Sequence, residues 1–285
     1  LSQWRSSLRN HAFPEIGMTS VADVTSSQII RILKPLWETK PVAARKLHSR
    51  LRNVFSWAIA SKLRLAANPV EGVAEVLPHQ SHKTTHLDAL PWQEAPAFWS
   101  RLLLLDTPAS RALRFLILTA CRSNEARDAT WDEINLDKRV WIIPATRMKN
   151  RHEHRVPLSA PSLEMLATSY TLGSNYCFPS AQNKKLSENA FRPPLQKLEV
   201  GVTAHGFRST FRDWAAENTS QPKAIIEACL AHGNPDKVEA AYLRTDFFEK
   251  RRQIMADWAS YLQKLISPDQ KLGLQRKLGV FLQLH

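Results

Sequence analysis

Glycine is scarce in this sequence, with 8 residues among 285. The chain contains neither a GxGxxG fingerprint nor a GxxxxGK(S/T) loop, the glycine-rich patterns that hold dinucleotides and nucleoside triphosphates by their phosphates. We therefore expect chemistry that uses no nucleotide held in a glycine-rich loop, and we expect no cofactor.

Cysteine is also rare, and the arrangement of the few cysteines argues against two kinds of site. The three are odd in number, lie far apart and form no CxxC pair: Cys121, Cys177 and Cys229. This pattern fits reduced core thiols in a cytoplasm better than a disulfide framework or a zinc site. A polar stretch carries His79, His82 and His86, but no cysteine or acidic cluster lies beside them. We therefore expect no bound metal.

Long hydrophobic runs are missing. The apolar runs are short, as at Leu102–Leu105, which Arg101 and Asp106 close, whereas a helix needs about 20 apolar residues to span a bilayer. The first residue is Leu1, and no basic segment followed by an apolar one marks a signal peptide. The sequence predicts a protein of the cytoplasm with no membrane partner.

Positive charge, in contrast, is abundant. Lys and Arg total 39 against 26 Asp and Glu, which gives a formal net charge of +13. A surplus of this size favours an anionic partner, with nucleic acid first, over a basic protein that is merely soluble. A hydrophobic content of 44% is typical of a folded chain, and 285 residues suffice for two domains with buried cores.

Residues 1–77 predict a small helical domain. Apolar residues at helical spacing predict one helix over Ser26–Trp37 and a second over Val42–Leu65. Basic residues decorate the second helix outside its apolar stripe. Residues 78–91 are rich in His, Ser and Thr and predict an interdomain linker.

Residues 92–265 predict a second, mainly helical domain. Two strands with a basic turn between them are expected at Val140–Pro144 and His154–Leu158. Helices are expected over Trp92–Leu105, Ser110–Thr130, Ser187–Leu198, His205–Asn218, Lys223–Ala231, Lys237–Tyr242 and Phe247–Leu265, with another from Ser162. The predicted fold class is therefore mainly α with a small antiparallel β-sheet, and residues 266–285 form a basic C-terminal tail.

Arg122 ends an apolar stripe on one of these helices. The stripe occupies positions i, i+3, i+4 and i+7: Phe115, Leu118, Thr119 and Arg122. These positions share one helical face, which places the guanidinium near the core. A buried charge needs a partner, and Glu125 lies one turn further on. Two interpretations stay open: a structural ion pair, or an arginine held by Glu125 so that its fork meets a phosphate.

Four more residues in this half of the chain carry side chains suited to chemistry. His205 and Arg208 lie at i and i+3 on a predicted helix start, where an imidazole beside a guanidinium makes an anion site. Lys149 lies in the basic turn between the two predicted strands, and His232 stands further along the chain. Taken singly, each of these residues is explained equally well without a catalytic role, as a packed ring or as a charged side chain in solvent.

The order of the candidates is more specific than any one of them. An arginine, a lysine in a hairpin turn, an HxxR motif, a histidine and a late tyrosine form the signature of tyrosine recombinases. The chain resembles this family, and within it the integrases of satellite phages and genomic islands. The matching stretches are LTACRSNEARDATWDEINL, RMKNRHEHRVPLS, VTAHGFRSTFRDWAAE and LAHGNPDKVEAAYLRTDFFEKRRQIMADWASYL. They cover most of Trp92–Leu262, and the likeness extends more loosely to the N-terminal helices.

The resemblance implies a role for each candidate at the cleaved phosphate. Tyr242 resembles the nucleophile, and Arg122 and Arg208 resemble the pair that grips the non-bridging oxygens. With this role for Arg122, the second interpretation of Glu125 applies, in which its carboxylate supports the arginine. The positions of these residues in the chain match the family motif one by one.

The remaining roles concern protons and a further phosphate contact. His205 resembles the histidine that assists proton transfer at the tyrosine, and His232 takes the place of a His or Trp that contacts the phosphate. Lys149 resembles the general acid for the leaving 5′-oxygen, although several basic residues crowd its turn. One departure stands beside the site: Ala120 and Cys121 occupy a place where many relatives have a glycine.

The resemblance further implies a two-domain, C-shaped clamp with a catalytic domain of the tyrosine recombinase and type IB topoisomerase type. The implied activity is site-specific recombination, the integration or excision of a mobile element, through a 3′-phosphotyrosyl intermediate. The expected partners are double-stranded DNA, further copies of the chain in a homotetramer on DNA, and accessory DNA-bending or directionality proteins. The expected location is the bacterial cytoplasm, with the nucleoid, and an N-terminal arm-binding domain is expected to have been trimmed.

Two alternatives remain beside this interpretation. The first is a type IB topoisomerase, which has related chemistry but relaxes DNA as a monomer; the short helical first domain favours a recombinase over it. The second is a remnant that binds DNA without cutting it. The presence of all six candidate side chains, from Arg122 to Tyr242, argues against the second alternative.

Overall fold

The computed structural model describes residues 2–79, 89–170, 173–232, 245–267 and Leu278. The chain divides into two compact units, Leu1–Thr85 and His86–His285. Most of the predicted linker and the predicted helix Lys237–Tyr242 lie outside the described residues. None of the described helices is both long enough and apolar enough to cross a membrane.

The first unit is helical. Its helices are α1 (Ser2–Ser7), α2 (Phe13–Ile16), α3 (Ser26–Thr39), α4 (Pro41–Ala60) and α5 (Val73–Val76), with a π-helical turn at Leu8–Ala12 between the first two. Helices α3 and α4 pack together through apolar side chains that are almost fully buried, among them Ile29, Leu33, Leu47, Leu51 and Phe55.

Local signals fix where these two helices begin and end. Thr25 and Gln28 form a capping box, in which each side chain accepts the other residue's backbone N–H, and this starts α3. Helix α4 was predicted to reach Leu65, and this is wrong because it ends at Ala60. Lys62 takes a left-handed backbone conformation, with a φ of 58°, and turns the chain away from the helix axis.

The second unit is built around a buried helix. Its helices are α6 (Ala95–Leu103), α7 (Pro108–Thr119), α8 (Ser123–Arg127), α9 (Ala160–Ser169), α10 (Arg192–Lys197), α11 (Gly206–Asn218), α12 (Lys223–Cys229) and α13 (Phe248–Leu262), with 3-10 turns at Trp92–Glu94, Trp131–Glu133 and Gln263–Leu265. Every residue of α7 from Ala112 to Thr119 is buried. Trp258 of α13 is buried against it and donates its indole N–H to the carbonyl of Ile117 at 2.8 Å.

A three-stranded antiparallel sheet lies in the same unit. Its strands are β1 (Ile134–Asn135), β2 (Val140–Ile143) and β3 (His154–Pro157), in the order β1-β2-β3. The β2–β3 register pairs Val140 with Pro157 and Ile143 with His154. The predicted fold class, mainly α with a small antiparallel sheet, is confirmed; β1 was not predicted because two residues carry no periodicity.

One predicted helix is wrong in a way that matters for the site. The pattern indicated a single helix over Ser110–Thr130, but α7 ends at Thr119 and α8 begins at Ser123. Ala120 interrupts the helix with a left-handed conformation, φ 49° and ψ 24°. Arg122 therefore lies in an extended conformation just before α8 and not on the face of α7. Helical spacing has no means of revealing such a break, because alanine is a strong helix former.

A buried arginine fastens α13 to the sheet. The side chain of Arg251 is only 1% exposed and donates to the backbone carbonyls of Asp246 and Arg155, both at 2.7 Å. It also pairs with the Asp246 carboxylate at 2.8 Å, which in turn accepts two bonds from the Arg155 guanidinium at 2.9 and 2.8 Å. Two guanidiniums thus share one carboxylate where α13 meets β3.

His154, the first residue of β3, lies half-buried beside this arrangement. Burial, and then the positive charges of Arg251, Arg122 and Arg208, lower the pKa of His154 to about 3. The ring is therefore neutral near neutral pH, and protonating it in the folded chain is unfavourable.

We predict that Arg251→Met lowers the free energy of unfolding by on the order of 3 kcal/mol, because two backbone carbonyls lose their donor and the shared Asp246 carboxylate loses its buried partner. Urea denaturation would measure the loss. The matched control is Arg252→Met, since Arg252 is more exposed and pairs with Glu249 at 3.2 Å; it should cost less than about 1 kcal/mol. Equal losses of stability in the two variants would contradict the proposed role of Arg251 in joining α13 to β3.

We also predict that His154 makes stability depend on pH. In the unfolded chain its pKa is about 6.5, and folding lowers the pKa to about 3, so the unfolded state binds more protons between these values. Stability is therefore full above pH 6.5 and falls as the pH drops, by up to about 1.4 kcal/mol per pH unit from this group. His154→Gln should flatten that slope in denaturation curves, whereas His152→Gln, in the exposed turn, should not. Identical slopes in all three proteins would disprove the assignment.

Candidate active site

Arg122 is held at the start of α8 by the residue that the sequence proposed as its partner. The Glu125 carboxylate is 1% exposed and accepts both the backbone N–H and the Nη1 of Arg122, each at 2.8 Å. The Nη2 atom of Arg122 donates to the carbonyl of Ala231 at 3.2 Å. The Arg122 side chain stays 20% exposed, so the ion pair fixes the guanidinium without sealing it from solvent.

Arg208, in the first turn of α11, is more deeply buried, at 4% exposure. Its guanidinium donates to two backbone carbonyls, those of Ala120 after α7 and Leu230 after α12, the second at 2.6 Å. Its Nη2 also contacts the Nε2 of His232 at 3.1 Å. Burial, and then the nearby charge of Arg122, lower the pKa of Arg208. In the described part of the chain no carboxylate pairs with Arg208, so its charge stays uncompensated by a direct partner.

His232 lies just beyond α12 and is tied to that helix. Its Nδ1 is 2.6 Å from the Oε2 atom of Glu227, and its backbone N–H donates to the Glu227 carbonyl at 3.1 Å. The other carboxylate oxygen, Oε1, accepts from the Nε of Arg212 on α11 at 2.7 Å. Arg212, Glu227, His232 and Arg208 therefore form one continuous chain of polar contacts.

His205 immediately precedes α11 and remains accessible to solvent. Partial burial, and then the charges of Arg208, Arg122 and His232, lower its pKa. These effects place the imidazole in the field of both arginines. The structure thus brings four predicted site residues together from the ends of three helices: Arg122, His205, Arg208 and His232.

Of the two other predicted catalytic residues, one makes no hydrogen bond or ion pair with this cluster and the other cannot be compared with it, because it lies outside the described residues. Lys149 is exposed in the turn between β2 and β3, and it makes no hydrogen bond or ion pair to any described residue. In the same turn it is Arg147 that is engaged, since it pairs with Glu133 and donates to the Glu125 carbonyl at 2.7 Å. Tyr242 lies outside the described residues.

Two residues near the cluster were missed from the sequence. His154 was treated only as part of a strand, although strand alternation puts it on the same face as the buried Val156, which is the one signal available. Glu227 was not singled out because it lies five residues before His232, a spacing that a regular helix does not place on one face. The turn after α12, where Ala231 has a φ of 50°, brings the two side chains together.

Comparisons with known proteins identify the family of the chain. The phage integrase family matches residues 97–249, which is more than half of the chain, and the phage integrase central domain matches residues 1–74. The prophage integrase IntZ of Escherichia coli (strain K12) is 31% identical over 271 residues, covering 93% of this chain and 66% of that protein. The integrase of Enterobacteria phage P4 is 29% identical over 279 residues, covering 90% and 63%. The chain thus spans just under two thirds of the length of these relatives.

Solved structures show the same fold. A lambda integrase fragment, residues 75–356, solved as a dimer bound to a COC′ core site, has a TM-score of 0.64 at 17% identity, covering 82% of this chain and 87% of that one. The Tn1549 transposon integrase in complex with transposon right end DNA has a TM-score of 0.64 at 16% identity, covering 89% and 92%. With the family matched over more than half of its residues, the chain belongs to the phage integrase family of tyrosine recombinases.

Proposed function

We propose that this chain is a site-specific DNA recombinase that integrates or excises a mobile element through a covalent bond between Tyr242 and a DNA 3′-phosphate. The observation that carries the proposal is that Arg122 and Arg208 bond the adjacent carbonyls of Ala231 and Leu230, while the one carboxylate paired with either of them among the described residues, Glu125, pairs with Arg122. Two neighbouring guanidiniums compensated by only one carboxylate leave a net positive charge, which makes a site for a phosphate. Membership of the phage integrase family and a net charge of +13 support DNA as its source.

The arginines would do more than bind. A phenol has a pKa of about 10, so ionising Tyr242 at neutral pH costs about 4 kcal/mol in water. Two guanidiniums near the phenol lower this cost, and they stabilise the extra charge on the pentacoordinate phosphorus as it forms. Glu125 would position Arg122 for this task, since it holds both its backbone and its side chain.

Proton transfers complete the proposed reaction. The Tyr242 oxygen attacks phosphorus as its proton passes to His205, whose lowered pKa leaves it neutral and ready to accept. The bond to the 5′-oxygen breaks, and Lys149 donates a proton to that leaving oxygen. Its exposed position in the β2–β3 turn leaves Lys149 free to reach a bound strand. The phosphotyrosyl bond retains the energy of the broken phosphodiester, so the reverse attack by a 5′-hydroxyl rejoins DNA without ATP.

The proposed partners follow from charge and from the relatives. Affinity for duplex DNA should come mainly from phosphates and fall steeply as salt rises. One lambda integrase structure is a tetramer bound to a Holliday junction, and we propose that this chain likewise assembles as a homotetramer on DNA. Accessory DNA-bending or directionality proteins, and a place in the bacterial cytoplasm with the nucleoid, are part of the same proposal.

We predict that Tyr242→Phe abolishes covalent capture of DNA and leaves binding nearly unchanged, because only the nucleophilic oxygen is lost. The assay uses a library of nicked suicide duplexes with randomised core sequence, followed by peptide mapping of the adduct. Tyr261→Phe is the matched control, since its hydroxyl donates to the Trp92 carbonyl at 3.1 Å at the edge of the core of the second unit, and it should retain the adduct. An adduct formed by the Tyr242 variant would identify a different nucleophile.

We predict that Arg208→Ala slows cleavage by on the order of 10²–10³-fold, as loss of an oxyanion donor does in other enzymes. Binding of the same duplexes should weaken far less, because the contact strengthens as charge develops on the phosphate. Arg208→Lys keeps the charge but loses the fork and should still be slow. Arg111→Ala, which removes an exposed pair with Asp106, is the control and should cleave normally. Parallel losses of binding and cleavage would assign Arg208 to general DNA affinity.

A further inference from the structure

The contact between His232 and Glu227 is short and supported on both sides. The Nδ1–Oε2 distance is 2.6 Å, and Arg212 holds the second carboxylate oxygen at 2.7 Å. Glu227 is 19% exposed in its side chain and His232 is 44% exposed. The carboxylate is therefore fixed against the Nδ1 atom of an imidazole that remains partly exposed to solvent.

The hydrogen on the ring can be placed by the partners of its two nitrogens. Nε2 lies 3.1 Å from the Nη2 of Arg208, and a guanidinium only donates hydrogen bonds, so Nε2 accepts in this structure. The hydrogen must then reside on Nδ1, which donates it to Glu227. Burial alone would raise the pKa of Glu227, but hydrogen bonds from His232 and Arg212 hold that pKa below its usual range. Glu227 is thus ionised and accepts only.

A phosphate requires a different placement of hydrogens on the ring, because its non-bridging oxygens, like the Glu227 carboxylate, only accept hydrogen bonds. To bond one of them, Nε2 of His232 needs a hydrogen. Moving the hydrogen from Nδ1 would leave the bare Nδ1 facing the carboxylate, two acceptors at 2.6 Å, which is repulsive. Once Nε2 bonds the phosphate in place of Arg208, the one arrangement that satisfies both the phosphate and Glu227 is a ring with hydrogens on both nitrogens.

We infer that Glu227 is a positioning residue that fixes the tautomer of His232 and makes the ring take up one proton from solvent when a phosphate enters beside Arg208. This rests on the proposed function, in which that phosphate belongs to DNA. The imidazolium would then donate a charge-assisted bond to the phosphate from Nε2 and keep its bond to Glu227 from Nδ1.

Several cationic groups lie around His232. Arg208 contacts the ring from α11, His205 lies just before that helix, Arg212 holds the far oxygen of Glu227, and Arg122 bonds the adjacent Ala231 carbonyl. These groups oppose a further positive charge, and Glu227 is the carboxylate in contact with the ring. An incoming phosphate adds negative charge beside the ring and thereby favours its doubly protonated form.

The experiment uses the full chain labelled with ¹⁵N in its histidine rings, with sulfate as the probe, since sulfate does not titrate near neutral pH. His232→Gln identifies the signals of His232. Without sulfate, Nδ1 should carry the hydrogen and Nε2 should be bare; at saturation both nitrogens should be protonated. In Glu227→Gln the side-chain amide can donate to a bare Nδ1, so sulfate should bind with a tautomer exchange and no gained proton.

Glu249→Gln is the matched control, because Glu249 also pairs with an arginine but lies on the exposed face of α13, and it should behave like the unaltered chain. The inference is overturned by a ring that stays singly protonated at saturating sulfate, by a ring doubly protonated without sulfate, by proton uptake in Glu227→Gln, or by sulfate that does not reach this site. If His232 takes up no proton with sulfate but the chain still captures DNA covalently, the role of Glu227 is wrong and the proposed recombinase activity stands. If His232 takes up the proton but the chain captures no DNA, the proposed activity is wrong and the role of Glu227 stands.

Discussion

A buried guanidinium held by backbone carbonyls is the interaction on which the site depends. Burying an unpaired charge is costly, and Arg208 offsets the cost with the carbonyls of Ala120 and Leu230. These dipoles solvate the charge but do not cancel it. The side chain is therefore rigid and dry, and it still offers a positive charge to an anion. A carboxylate in the same place would have stabilised the fold and weakened the site.

Three buried or half-buried arginines show how the partner decides the role. Arg251 shares the Asp246 carboxylate and two carbonyls, so it serves to join α13 to β3. Arg122 has a carboxylate too, in Glu125, but its pairing leaves part of the guanidinium exposed. Arg208 has none among the residues described. The same type of side chain thus serves as structural support where a carboxylate compensates its charge, and is proposed as a phosphate ligand where none does.

Two alanines with left-handed backbone conformations supply carbonyls to the arginine pair. Ala120 and Ala231 have φ values of 49° and 50° at the ends of α7 and α12, a conformation that costs an L-residue roughly 1 kcal/mol or more relative to glycine. Their carbonyls accept from Arg208 and Arg122, respectively. Backbone strain at these two turns accompanies the placement of the site, as is common where function sets the geometry.

The residue types and their order were enough to predict the family, the mainly helical fold and the Arg122–Glu125 pair. Alternation and turn chemistry are local, so they also located β2 and β3. Three features follow from the folded chain alone: the helix break at Ala120, the contact between Glu227 and His232, and the position of His154 near the arginines. These outcomes depend on turns between elements and on contacts between residues far apart in the chain, about which short-range periodicity contains no information.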